Sequence, residues 1–126
     1  MYLRFTTTAI DEDSKKPRGL FIEAHMLLNS GDLDAHQWTQ LREILDWFNE
    51  NLSHPPKKFM TERAIFWFRS EAHECIDKIW EMVHLLRAHN RHIAVYKCRR
   101  LGNITYSDKL QVAVYPSDLD DRIIEH

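Results

Sequence analysis

Between Asp34 and Leu52 the large apolar residues Trp38, Leu41, Leu45, Phe48 and Leu52 recur at spacings of three and four, and Ile44 widens the stripe. Residues so spaced line one side of a helix. The segment is therefore an amphipathic helix, and it has one face to bury. Asp34 is placed to cap its start, and Gln37, three residues on, can close a capping box with it. Ser53-His54-Pro55-Pro56 ends it, because proline cannot continue a helix. The rest of the chain has to supply a surface for that face.

Upstream, Leu20, Ala24, Leu27 and Leu28 form a second stripe. Pro17 suits the first turn of that helix and Asn29-Ser30-Gly31 its end. The short gap before Asp34 predicts an antiparallel helical hairpin. Downstream, a third helix is expected from a Thr61 cap, with Met60 stapled onto Ile65, running to about Asn90. The two ends of the chain read as strands. In Tyr2–Thr8, Leu3 and Phe5 alternate with Arg4 and Thr6. Ile93–Leu101 and Ile104–Tyr115 flank Gly102-Asn103, a two-residue hairpin signal. Centred there, the register pairs Leu101 with Ile104, Arg99 with Tyr106, Lys97 with Asp108, Val95 with Leu110 and Ile93 with Val112. The expected fold is α+β in the order β-α-α-α-β-β, a three-stranded antiparallel sheet with helices packed on one face.

At 126 residues the chain can bury one core, here assigned to residues 1–116, with 117–126 as an acidic C-terminal tail. A formal net charge of -2 argues against bulk nucleic-acid binding. The opening MYLRFTTTAIDED has no apolar signal region, and no run of 18 apolar residues exists to span a membrane. Cys75 and Cys98 are too few for a disulfide framework. A cytoplasmic protein with free thiols, no cofactor and no membrane contact is expected.

The stretch AHECID, Ala72–Asp77, is one residue from HExxH, the zinc-protease helix motif, with Asp77 where a second histidine would stand. On a helical wheel, Phe66, Arg69, His73, Asp77, Trp80 and His84 lie within roughly 40° of one line. His73 and Asp77 could share a divalent ion, but zinc needs a further ligand. His84 is about 16 Å along the axis at 1.5 Å per residue and cannot supply it. Polar residues flanking a core explain the stripe without a metal. Ile65, Ala72, Ile76, Ile79 and Val83 form the expected core face. Trp67 and Leu85 fall on neither stripe, so the helix is apolar on nearly all sides, which predicts a dimer contact. Trp47, beside the stripe of the second helix, joins Trp67 and Leu85 as a candidate interface residue.

The second half of the chain is basic. From Arg91 to Lys109 the residues Arg91, Lys97, Arg99, Arg100 and Lys109 face one acid, Asp108. Lys97, Arg99, Arg100, Tyr106 and Lys109 are candidate anion or nucleic-acid contacts, since cations beside aromatics suit phosphates and stacked bases. The plainer reading is a solvated hairpin whose charges guard an edge strand. Arg100 shares a strand face with Cys98 and could lower its pKa. No histidine or acid is placed to complete a nucleophilic site. No phosphate loop, dinucleotide fingerprint or nucleophile elbow is present, and no catalytic motif points to an enzyme. Two functions remain: a small non-enzymatic interaction or regulatory protein, homodimeric through its helical layer and meeting an as yet unidentified protein partner, or a nucleic-acid-binding or nucleic-acid-processing protein using the basic hairpin 97–109.

Overall fold

The computed structural model describes residues 1–10, 17–52, 65–114 and 124–125. In chain order these form β1 (Tyr2–Ile10), β2 (Pro17–Gly19), α1 (Leu20–Leu28), α2 (Ala35–Asn51), β3 (Ile65–Arg69), α3 (His73–Ala88), β4 (Ile93–Cys98), β5 (Ile104–Ser107), β6 (Gln111–Val114) and β7 (Ile124–Glu125). The fold is α+β, as expected. The sheet is larger than expected: its order is β5-β6-β3-β1-β4-β7, with β2 paired to β1. The pairs β1–β2, β1–β3, β3–β6, β4–β7 and β5–β6 are antiparallel. The chain divides into two compact units.

One unit holds Phe5–Leu52 and Asp77–Ala94. Here the helix signals work. The Gln37 amide donates to Asp34 Oδ1 at 2.8 Å and the Asp34 amide returns to Gln37 Oε1 at 3.4 Å, closing the capping box. Leu41, Ile44, Leu45 and Phe48 are buried, and Phe21 of α1 meets Phe48 edge-on at 5.0 Å, as an antiparallel hairpin requires. Trp38 departs from its expected place in the stripe: it is 46% exposed. α1 starts three residues after Pro17, because Pro17–Gly19 pairs with β1 through Thr6↔Gly19 and Ile10↔Pro17. Proline is tolerated at such a position because it has no donor to lose on an unpaired side. Gly31, at φ +84°, carries the chain away from α1 after the Asn29 and Ser30 amides return to His25 and Leu27. That conformation favours glycine.

In the same unit, Ile79, Met82, Val83 and Leu86 of α3 are fully buried. Trp80 meets Phe5 edge-on at 5.4 Å. Beyond α3, Asn90 takes the left-handed conformation (φ 62°) and the Arg91 amide returns to Leu86 at 2.9 Å, so an asparagine terminates the helix as glycine does α1.

The other unit holds Met1–Arg4, Ser53–Ile76 and Val95–His126. It corrects the expectation of a third helix from Thr61: Ile65–Arg69 is β3, a strand paired with β6 from Ile65↔Val114 to Phe68↔Gln111. The sequence IFWFR is β-branched and aromatic, which suits a pleated surface. Trp67 and Phe68 are both buried although they point to opposite faces. A strand buried on both sides has no alternation, and its continuous apolar run mimics a helix. The helix begins only at His73. The Met60 staple, the Thr61 cap and the Ser53–Pro56 break lie outside the described residues, as do residues 115–123, which hold the expected boundary between domain and tail. Ile124 and Glu125 of that tail pair with Lys97 and Tyr96.

The expected hairpin on Gly102-Asn103 is also corrected. β4 lies beside β1 and β7, whereas β5 pairs with β6. A two-residue turn of the expected kind needs positive φ at both central residues. Only Asn103 has it, at 55°. The hairpin turns instead at Asp108. Its Oδ1 accepts the Leu110 and Gln111 amides, both at 2.9 Å, and its own amide donates to the Gln111 carbonyl at 2.9 Å. An aspartate side chain that binds the backbone two and three residues on builds such a turn without glycine. Arg69 Nε secures the turn by donating to the Asp108 carbonyl at 2.7 Å, and its guanidinium also donates to Ser107 Oγ.

Candidate functional site

In the unit that contains β3, the pleat sorts the side chains into two faces. Trp67 pairs with Val112, Ile65 with Val114 and Arg69 with Tyr2, and paired residues share a face. Trp67, Val112 and Val114 are buried there, with Tyr2, Ile65, Tyr96, Cys98 and Leu101 packed against them. The β1–β3 register continues to place Arg4 opposite Trp67, two residues from Tyr2 and on the same face. Tyrosines, a tryptophan and arginines thus converge on one side of this sheet.

The two arginines differ. Arg69 is fully engaged: its guanidinium lies 5.7 Å over the Tyr2 ring, holds the Asp108 turn and reaches Glu71 at 3.6 Å. Arg4 is half-buried and, among the described residues, makes no hydrogen bond or ion pair. Burial pushes its guanidinium below the ordinary arginine value, and the nearby Tyr96 phenol acts in the opposite sense. A guanidinium carries its charge at any physiological pH, so a half-buried cation lies on this face.

The five expected basic-hairpin residues do not form one surface in the expected way. Arg99, Arg100 and Lys109 are exposed, and Lys97 and Tyr106 half-buried. The expected pairs Arg99–Tyr106 and Lys97–Asp108 are absent, because their strands are not neighbours. Tyr106 instead donates its hydroxyl to Asp108 Oδ2 at 2.8 Å, a bond that holds its phenol above the ordinary value. Among the described residues Lys97, Arg99, Arg100 and Lys109 have no carboxylate partner.

The remaining candidates fall apart chemically. His73 and Asp77 are both exposed near the start of α3. Among the described residues no group of three or more histidine, cysteine or acidic side chains could hold a metal ion. Trp67 is 3% and Leu85 7% exposed, both covered by their own chain, and Trp67 is not on a helix at all. Trp47 is half-buried, edge-on to Phe48 at 5.0 Å. The surplus apolar surface that the wheel assigned to α3 is thus accounted for within the fold. Among the described residues the exposed large apolar side chains are Ile22 (56%), Met26 (42%) and Trp38 (46%) on α1 and α2 in one unit, and Met1 and Ile104 in the other. Cys98 is half-buried and donates to the Arg100 carbonyl at 2.8 Å, whereas Cys75 is buried.

Tyr2, Arg4 and Arg69 were not assigned to a binding site by sequence. The alternation in Tyr2–Phe5 already put Tyr2 and Arg4 on one face, but only the identification of β3 brings Trp67 and Arg69 beside them. No helix among the described residues is long and apolar enough to cross a membrane. Compared with protein families, with curated proteins and with solved structures, the chain matches none.

Proposed function

We propose that this is a small non-enzymatic interaction protein that assembles with a second copy of itself through its helical layer. The observation that carries the reading is the exposure of Ile22, Met26 and Trp38 within one unit. Ile22 and Met26 are four residues apart, so they share a face of α1. A two-fold interface brings a surface against its own copy, and an apolar surface meets itself without charge conflict. Light scattering at tens of micromolar tests it. The expected mass is twice 15.1 kDa, falling to one chain for Ile22→Asp and Trp38→Ala. A wild-type protein that runs as a single chain overturns the reading.

A second reading, binding of nucleic acid, is favoured by a separate observation. Arg99, Arg100 and Lys109 are exposed and without acidic partners among the described residues, in the unit that also carries the Tyr2–Tyr96 face. Phosphate contacts strengthen as salt falls. Retention of a labelled single strand at about 50 mM salt, weakened in Arg100→Ala, is the expected result. Indifference of the wild-type protein to nucleic acid under those conditions removes this reading and leaves the first intact.

A further inference from the structure

Among the described strands β5 is the outermost, with β6 on one side of it. Thr105 and Ser107 are exposed, and Ile104 is 44% exposed. The four residues of β5 span roughly 13 Å at about 3.3 Å each. Exposed cations stand at both ends of the strand, Arg99 and Arg100 before Ile104 and Lys109 after Ser107. Leu101 packs against the Trp67, Val112 and Val114 cluster, which ties the loop bearing Arg99 and Arg100 to the same sheet. Asp108, the acid of this stretch, is turned onto the Leu110 and Gln111 amides and the Tyr106 hydroxyl. Ile104 pairs with Val114 and so lies on the side of the buried cluster, carrying it out to the edge. Its exposed side chain is apolar surface that an added strand would cover.

The cations decide what can pair there. A second copy offering its own β5 antiparallel would set the Arg99–Arg100 end of one chain beside the Lys109 end of the other. Like charges across a ladder repel, and edges avoid self-association in this way. The same arrangement attracts a strand of opposite sign. We propose that the outer edge of β5 takes an extended acidic peptide. The peptide adds to the sheet as a further strand, with carboxylates at its two ends beside Arg99, Arg100 and Lys109 and a β-branched residue over Ile104. In such an addition main-chain hydrogen bonds give affinity and side chains give choice. The register of β5 against β6 shifts between Ile104 and Tyr106, so the regular run is short and few main-chain bonds form. Selection therefore falls on the charges. This edge belongs to the unit that does not carry Ile22, Met26 and Trp38, and its use does not depend on the dimer.

Fluorescence anisotropy on the full chain tests it, with a labelled decapeptide that has two glutamates at each end and alternating valine and threonine between them. Wild-type protein is expected to bind it, and to bind the same peptide ended in lysines about tenfold more weakly. Two further acidic peptides carry N-methyl groups on alternate amides, one at the odd positions and one at the even. An added strand bonds its neighbour through alternate amides only, so one of the two is expected to lose binding and the other to keep it. The double variant Arg100→Glu, Lys109→Glu, changed only at exposed positions, is expected to bind the acidic peptide about tenfold more weakly and to melt with the wild type. Wild-type protein that ignores the acidic peptide up to about 1 mM overturns the proposal. Equal binding of the two methylated peptides overturns the added strand, and equal binding of the glutamate-ended and lysine-ended peptides overturns the acidic partner. Protein that binds labelled oligo-dT at about 50 mM salt and ignores the peptide assigns these cations to nucleic acid and overturns the proposal as well.

Discussion

The Glu23 carboxylate on α1 meets the Arg91 guanidinium at 2.5 Å, with the two side chains 6% and 21% exposed. The contact ties α1 to the segment that follows α3 within one unit. Removing the cation takes a charged partner from a carboxylate in a place water barely reaches. Arg91→Met is expected to cost about 3 kcal/mol. The double variant Glu23→Gln, Arg91→Met is expected to recover much of that loss, because no charge is then left buried. Urea melts of the single and double variants measure both. A loss under about 1 kcal/mol for the single variant would show that solvent screens the pair as it does at a surface.

Asp108 gives the fold a specific acid sensitivity. Burial alone would push its carboxyl up, but the Leu110 and Gln111 amides and the Tyr106 hydroxyl bond the charged form and together hold the carboxyl below the ordinary 3.8. A depressed folded value means that the stabilisation is complete above the unfolded value and is lost as pH falls through the folded one. Wild-type stability is therefore expected to drop more steeply below about pH 4 than that of Asp108→Asn, whose side chain does not titrate. At neutral pH, Asp108→Ala is expected to cost about 2 kcal/mol through the lost turn bonds. Urea midpoints from pH 2 to 7 check both, and parallel pH profiles for wild type and Asp108→Asn would contradict the account.

How far the sequence could be read depended on whether an element carried its own instructions. α2 did: Asp34, Gln37 and the Leu41–Phe48 stripe are local signals, and each lies where the spacing put it. β3 did not. Ile65–Arg69 is buried on both faces, so its pattern has no period to distinguish strand from helix. It was absorbed into α3, and with it went Trp67 and Arg69, two of the aromatic and basic residues of the face. The hairpin turned on a choice between two turn signals. Gly102-Asn103 has the commoner composition, but Asp108 supplies three bonds of its own, and the balance between them depends on β6 finding β3. That pairing is set by residues more than 40 positions apart, which no local rule reads.

The two thiols are expected to separate cleanly by reactivity. Cys75 is buried in α3, and burial, aided by the Asp108 carboxylate, pushes its thiol up to about 12. Only the thiolate attacks a disulfide reagent. Cys98 is half-buried and reachable. At pH 8 the native protein is expected to release one equivalent of thionitrobenzoate promptly from an aromatic disulfide reagent, and the second only when unfolded. Cys98→Ser is expected to abolish the prompt phase. Two prompt equivalents would mean that the α3 core opens on the timescale of the reaction.

The capping box joins two helices as well as closing one. Gln37 Oε1 takes the Asp34 amide at 3.4 Å and lies 3.2 Å from His89 Nε2, just beyond the C-terminus of α3. An amide oxygen can only accept, so His89 donates from Nε2. Asp34→Ala removes the strong 2.8 Å bond to the Gln37 amide and is expected to cost about 1 kcal/mol. Gln37→Ala breaks the weaker return bond and the His89 contact together, at about 1 kcal/mol. Thermal melts of the two variants at pH 7 measure both losses. A Gln37→Ala variant that melts with the wild type would mean that neither the return bond nor the His89 contact holds the folded state.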